Sequence, residues 1–170
     1  HPLNLALGEA AAVESLGGVI YEQSPAVRIE RGASPVVHTP QGKVRAKFII
    51  VAGNAYLGNL VPELAAKSMP CGTQVIATEP LGDELARRLL PQDYCVEDCN
   101  YLLDYYRLTG DKRLIFGGGV VYGARDPANI EAIIRPKMLK AFPQLKDVKI
   151  DYAWTGNFLL TLSRLPQVGR

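Results

Sequence analysis

Three tyrosines and an arginine stand close together at Tyr101, Tyr105, Tyr106 and Arg107. On a strand, Tyr101, Tyr105 and Arg107 would share one face and Tyr106 would point to the other. A guanidinium offers a planar fork of donors and phenol rings offer flat walls, so such a face can hold an anion or an amino-acid-like molecule. The same spacing serves a core strand, and both readings stand. Gly53 to Gly58 reads G-x-x-x-x-G, but Asn59-Leu60 follows where a phosphate loop needs Lys and Ser or Thr. Gly117-Gly118-Gly119-Val120-Val121-Tyr122-Gly123 misses G-x-G-x-x-G, because Tyr122 replaces a required glycine. That cluster marks either a plain β-bulge or a backbone that something approaches closely. Cys95 and Cys99 would need two more zinc ligands, and the chain has only His1 and His38. Spacing places no Ser-His-Asp set, no Cys-His pair and no carboxylate dyad. If the protein is an enzyme, a cofactor supplies the reaction.

The composition bounds the partners. With 170 residues, 48% hydrophobic and 21% charged, the chain can bury a sizeable core. A net charge of +2, with acids and bases mixed, is no footprint for nucleic acid. No apolar run approaches the roughly 18 residues of a membrane helix, and no signal peptide is visible. Three cysteines, Cys71, Cys95 and Cys99, argue against a disulfide framework and for a reducing, cytoplasmic setting. The chain opens on His1-Pro2-Leu3 without Met and ends within a continuing pattern, so a piece of a longer protein is expected.

The elements that must position these residues follow from periodicity and punctuation. Asn4 to Leu16 has helical spacing and stops at Gly17-Gly18. Strands are expected at Val19–Glu22, Val27–Glu30 and Val36–Thr39. Lys43 to Phe48 alternates, and the pattern then turns fully apolar through Val51. That change reads as a strand passing into the covered centre of a parallel sheet. Asn54 to Leu64 reads as a short helix or loop. Further strands are expected at Thr73–Thr78, Tyr94–Val96, Leu102–Leu108, Arg113–Phe116 and Lys149–Trp154, with Thr109-Gly110-Asp111 as a hairpin turn. Helices are expected at Asp83–Leu90 and Pro127–Phe142, the latter capped by Asp126 and kinked or divided at Pro136.

This order of segments resembles the FAD-dependent oxidoreductases of the D-amino-acid oxidase, or glycine/sarcosine oxidase, type. Five stretches carry the likeness. The first is His1-Pro2 with Leu5 to Leu16 and Gly17-Gly18-Val19-Ile20-Tyr21-Glu22. The second is Val37-His38-Thr39-Pro40-Gln41-Gly42 with Ala46 to Gly53, similar to "T-x-x-G … A-x-x-V-V-x-A-G". The third is Pro70 to Thr78. The fourth is Leu103-Asp104-Tyr105-Tyr106-Arg107 to Gly117-Gly118, similar to "Y-x-R … D-x-R-x-x-x-G-G". The fifth is Trp154-Thr155-Gly156 to Leu165-Pro166-Gln167-Val168-Gly169, similar to "W-x-G … P-x-I-G".

The resemblance implies FAD and oxidation of a carbon bearing an amine. A hydride passes to the flavin, an imine is released and hydrolysed, and oxygen takes the electrons. It implies a fold of α/β with α+β: a partial FAD-binding (Rossmann-like) lobe over 1–70, an antiparallel-sheet substrate lobe over 71–154, and a return towards the FAD lobe over 155–170. Val27 would contact the adenine side through its backbone. Ala52 and Gly53 would let the backbone approach the cofactor, the competing reading being a glycine that merely ends a strand. Tyr105, Arg107 and Trp154 would face the substrate, with Gly156 near the flavin ring. No catalytic residue and no metal site is assigned, and the oligomeric state is open. The strand–G-x-G-x-x-G–helix fingerprint of the family is absent from these residues, so the 170 residues alone are expected to be inactive and to bind FAD weakly or not at all. Phe158 stands where several relatives have a carboxylate-binding arginine, and Ser163 where many have aspartate. Both departures point from a simple α-amino acid towards a substrate reached through its terminal amine. The alternative is a non-catalytic α+β binding domain whose motifs match by chance.

Overall fold

The computed structural model describes residues 1–123 and 125–169. The chain forms two compact units, His1–Ala52 and Gly53–Arg170. Among the described residues no helix is long and apolar enough to cross a membrane.

The first unit holds helix α1 (Pro2–Ser15) and strands β1 (Arg28–Glu30), β2 (Val36–His38) and β3 (Lys43–Arg45). The His1 imidazole caps α1 by accepting from the Asn4 N–H at 3.2 Å. The two glycines end it as the sequence predicts. Gly17 takes a positive φ of 84°, its N–H donates to Glu14, and the Gly18 N–H donates to Val13. The three strands pair antiparallel in the order β1-β2-β3, with Ile29 opposite Val37 and Val37 opposite Val44. Arg28, Glu30 and His38 gather on this sheet, Glu30 lying 2.5 Å from Arg28 and 3.0 Å from His38. The Arg28 guanidinium, hydrogen-bonded to the Glu30 carboxylate, holds that acid below its ordinary range.

Two expected strands are corrected here. Val19–Glu22 and Phe48–Val51 form no strand, and the alternating segment ends at Arg45. A strand exists only where another pairs with it, and no described segment offers these two a ladder. Phe48 and Ile50 are accordingly 86% and 91% exposed.

The second unit is built on strands β4 (Ser68–Thr78), β5 (Val96–Glu97), β6 (Tyr105–Leu108), β7 (Leu114–Tyr122) and β8 (Ile150–Thr161). They form one antiparallel sheet in the order β5-β6-β7-β4-β8. A 3-10 turn at Asn54–Tyr56 and helix α2 (Pro62–Ala65) precede the sheet; α3 (Gly82–Leu89) and α4 (Ile130–Ala141) lie between its strands in the chain. Asp83 and Glu84 open α3 and Arg87 and Arg88 close it, each sign facing the favourable end of the helix dipole.

Helix α4 starts three residues later than the sequence predicts. Asn129, not Asp126, caps it, accepting from the Ala132 N–H at 2.9 Å. Asp126 instead accepts from the Thr155 hydroxyl at 2.5 Å. Pro136 does not divide the helix, which runs unbroken to Ala141. Against α4 and α3 the sheet builds its core: Ile76, Leu114, Phe116, Ile134, Met138 and Leu145 are all at most 1% exposed. Tyr106 joins it, stacked on Phe116 at 5.4 Å and edge-on to Phe142 at 4.9 Å.

Candidate functional site

Register decides which predicted residues meet. In an antiparallel pair, directly opposed residues share a face. Tyr105 opposes Gly117, Gly117 opposes Val75, and Val75 opposes Trp154. One row is therefore Tyr105, Gly117, Val75, Trp154. Two residues along β4, Thr73 opposes Gly156. Two residues the other way, Arg107 lies opposite Ile115, then Ala77, then Tyr152. Tyr105, Arg107, Trp154 and Gly156 thus share the face of the sheet opposite the one packed on α4. The strands place Tyr106 on the covered face, as spacing predicts.

The geometry of this open face is specific. The Tyr105 hydroxyl lies 2.9 Å from the Thr73 hydroxyl, across the position of Gly117. The phenol reaches Thr73 only because residue 117 has no side chain: a Cβ there would overlap the Tyr105 ring. On the side packed by α4, a Cβ on Gly118 would overlap the Asp104 carboxylate, and one on Gly119 would lie 2.7 Å from Gln74 Oε1. Gly119 also takes φ 73°, where Gly119 and Val120 stand against the single residue Thr73. Both readings of the glycine cluster are therefore realised, a bulge and a close approach. Arg107 is half-buried and donates to the Leu108 carbonyl at 3.0 Å. Trp154 is 41% exposed. Over Gly156 a Cβ would meet nothing within 4 Å, so the surface above it is open.

Tyr101 does not join this face as a strand residue, which is a correction. Residues 98–104 form a loop closed on Asp98, whose carboxylate accepts from the Asn100 N–H at 3.0 Å and the Asp104 N–H at 3.2 Å. The Asn100 N–H is the first of several donors that hold the Asp98 carboxyl below its usual value. Asp104 in turn pairs with Lys137 of α4 at 2.8 Å. Thr73, Asp104 and Lys137 were not foreseen. Their partners lie about 30 positions away in the chain, and only the strand register, for Thr73, and the packing of α4 on the sheet, for Asp104 and Lys137, reveal them.

The remaining predicted positions lie elsewhere. The Val27 N–H donates to the His38 carbonyl at 2.8 Å, so a backbone contact to a ligand falls to its own carbonyl. Ala52 lies outside every helix and strand. Gly53 has an ordinary φ of −77°, but a Cβ on it would come within 3.3 Å of the Leu57 backbone. Local packing in the turn is thus a sufficient reason for glycine there. The cysteines are free: Cys95 and Cys99 are exposed, and burial pushes the Cys71 thiol up. Among the described residues no group of three His, Cys, Asp or Glu could hold a metal. A shallow hollow lined by Asn129, Glu131, Ala132, Arg135, Pro136 and Leu139 contains none of the predicted residues.

A sheet with one covered face and one open aromatic face can position a flat cofactor or a substrate, and sequence comparison decides the family. The model of the family described as "FAD dependent oxidoreductase" matches residues 1–170. The chain belongs to that family. It is 67% identical over 171 residues to gamma-glutamylputrescine oxidoreductase of Escherichia coli strain K12, covering 100% of this chain and 40% of that protein. It is 40% identical over 176 residues to a probable oxidoreductase, OrdL, of Haemophilus influenzae, again covering 100% of this chain and 40% of the relative. The chain therefore spans about two fifths of the length of these relatives. Among solved structures, it matches glycine oxidase from Geobacillus kaustophilus with a TM-score of 0.79 at 20% identity, over 97% of this chain and 44% of that one. L-proline dehydrogenase from P. horikoshii matches with a TM-score of 0.82 at 20% identity, over 99% and 46%. These two establish the fold, α/β with α+β and antiparallel sheets. Membership over the full chain overturns the reading that the motifs match by chance.

Proposed function

We propose that this chain is part of a flavin-dependent amine oxidoreductase that oxidises a C–N bond of an amine or amino-acid-like substrate, with gamma-glutamylputrescine the first candidate. The observation that carries the proposal is the convergence of Tyr105, Arg107, Trp154 and Gly156 on one open sheet face. FAD is the cofactor of the family. The open surface over Gly156 fits the close approach of a planar ring, and the missing fingerprint means that other parts of the parent protein hold the pyrophosphate.

When bound, FAD would accept a hydride from the carbon bearing the amine and pass the electrons to oxygen. The residues of this chain bind and orient. Gly156 leaves room at the strand surface. Trp154 and Tyr105 supply aromatic walls on either side of Val75, and Arg107 adds positive charge one row away. Thr73 fixes the Tyr105 phenol by their hydrogen bond. In the other unit, Val27 and Ala52 would face the cofactor, and Gly53 would do so at the start of the second. The division into a partial FAD-binding lobe (1–70), a substrate lobe (71–154) and a return segment (155–170) belongs to this proposal. So does a small-molecule amine as the partner.

The test is the visible absorption spectrum of the full-length parent, followed by peroxide release on adding gamma-glutamylputrescine. Flavin bands and peroxide are expected. A parent that stays colourless after incubation with FAD, or that carries flavin yet oxidises no amine, would overturn the reading.

A further inference from the structure

The same face continues beyond Gly156 to a row whose central residue, Cys71, is fully buried. On β4, Cys71 follows Thr73 on the same side, and it opposes Tyr122 of β7 and Phe158 of β8. Over this row lies Arg164. Its Nη2 is 3.4 Å from the Tyr122 hydroxyl, and its guanidinium carbon is 4.4 Å from the centre of the Tyr101 ring. Its charge reaches the Cys71 thiol, where it opposes the upward push of burial.

The backbone holds Arg164 in place. Its φ is 60°, a conformation a non-glycine residue rarely adopts. The loop is closed by the Arg164 N–H donating to the Thr161 carbonyl at 3.1 Å and by the Thr161 hydroxyl donating to the Leu165 carbonyl at 2.9 Å. Arg28, Arg113 and Arg135 each pair with a carboxylate. Arg164 has no carboxylate within ion-pair distance among the described residues. A guanidinium carries five N–H donors, and one long contact to a phenol leaves most of them to solvent or to a ligand.

From these contacts we infer that Arg164, steered by Tyr101 and Tyr122, binds a carboxylate that the substrate carries away from its reacting amine. The assignment rests on the amine-oxidoreductase reading of the same face. Trp154 opposes Val75 and Gly156 opposes Thr73, while Tyr122 opposes Cys71. Four and two residues of strand separate these rows, about 13 Å and about 7 Å. An elongated molecule spans that distance, with a free amine at one end and a carboxylate at the other. A γ-glutamyl amide of a diamine has this form: the amide joins the halves, the glutamyl half keeps its α-carboxylate, and the diamine half keeps its terminal amine. An α-amino acid, whose carboxylate sits beside its amine, does not reach both rows.

The experiment uses the flavin-loaded full-length parent with Arg164→Gln and Arg164→Lys. Each is assayed on gamma-glutamylputrescine and on putrescine, the same diamine without the carboxylate. Arg164→Gln is expected to lower kcat/KM for gamma-glutamylputrescine about 10- to 100-fold, mainly through KM, since a charged hydrogen-bond pair is lost. Putrescine should be handled as by the wild type, and Arg164→Lys should recover part of the loss. An equal effect on both substrates, or none, would overturn the inference and leave Arg164 as a stacking residue. Calorimetric titration with N-acetylglutamate judges the anion site without turnover. Binding to the wild type that weakens at least about tenfold in Arg164→Gln supports it. No binding, or equal binding, sinks it. If the parent oxidises no amine, the functional reading falls, and the titration still decides on Arg164.

Discussion

The two faces of the five-stranded sheet have the same strands, yet helices pack on one and the other opens towards its β8 edge. Under α4, neighbouring positions carry Phe116, Ile76 and Leu114, each at most 1% exposed. One residue over on the same strands come Gly117, Val75 and Ile115, flanked by a half-buried Tyr105 and a Trp154 that is 41% exposed. The covered face uses large side chains to exclude water. On the other face Val75 and Ala77 are also buried and Gly117 gives its space to the Tyr105 ring, so room is left only towards the β8 edge, over Gly156 and beside Trp154. Stability is therefore concentrated on one side and recognition on the other, and single substitutions should separate them.

The covered face should give the largest effect. Met138 is fully buried between α4 and the sheet, so Met138→Ala leaves a cavity and should destabilise by about 2–5 kcal/mol. Denaturant unfolding of the parent measures it. A loss below about 1 kcal/mol would mean that α4 does not close this face. Gly156→Val is the counterpart on the open face. Valine suits a strand, and nothing lies within 4 Å of its Cβ, so stability should change by under about 1 kcal/mol. Activity or flavin loading should nonetheless fall about 100-fold, because displacing a reacting partner by about 1 Å costs that much. A stable and fully active Gly156→Val would remove this glycine from the site.

Tyr105→Phe should give a smaller effect. The neutral hydrogen bond to Thr73 contributes about 0.5–1.5 kcal/mol. The phenol is half-buried, so the stability change should lie at the lower end. The sharper readout is KM for the amine, which should rise several-fold if Thr73 orients the ring. Thr73→Val should then reproduce the Tyr105→Phe value, and the double variant should add little to either. Independent, additive effects would show that the two hydroxyls do not act together.

How much of this was legible in the sequence follows the range of the forces involved. The end of α1 was readable because Gly17-Gly18 acts within six residues, through bonds to Glu14 and Val13. Most strands of the second unit were readable from apolar runs bounded by turns, although β7 and β8 run well past their predicted ends because they flank β4. Phe48–Val51 has the composition of a central strand, but a ladder needs a second strand, and composition carries no information about whether one is adjacent. Tyr101 was misplaced for a local reason: the Asp98 carboxylate gathers the N–H groups of Asn100 and Asp104 and turns the chain before β6 starts. The face shared by Tyr105 and Arg107 followed from alternation alone. Their meeting with Trp154 and Gly156 depended on register across β7 and β4, which no spacing rule supplies.

The smallest effect should appear at the edge of the sheet, where that Asp98 loop carries Tyr101 towards Arg164. Asp98, Asp111 and Glu30 all have carboxyls held below their usual range: Asp98 first by the Asn100 N–H, Asp111 first by the Thr109 hydroxyl, and Glu30 first by the Arg28 guanidinium. A depressed folded-state value stabilises the fold above the unfolded-state value, and that contribution is lost as pH falls through the folded one. Tm should therefore hold from neutrality to about pH 5 and decline below about pH 4. Arg113 is shifted the other way by Asp151, and its contribution would be lost only in strong alkali, outside this window. Asp98→Asn keeps an acceptor oxygen for the loop but cannot titrate. Its Tm at neutral pH should be slightly lower than the wild type, and its decline between about pH 5 and pH 3 shallower. An unchanged acid slope would mean that the Asp98 loop is already open at neutral pH, and that Tyr101 is not held beside Arg164 in solution.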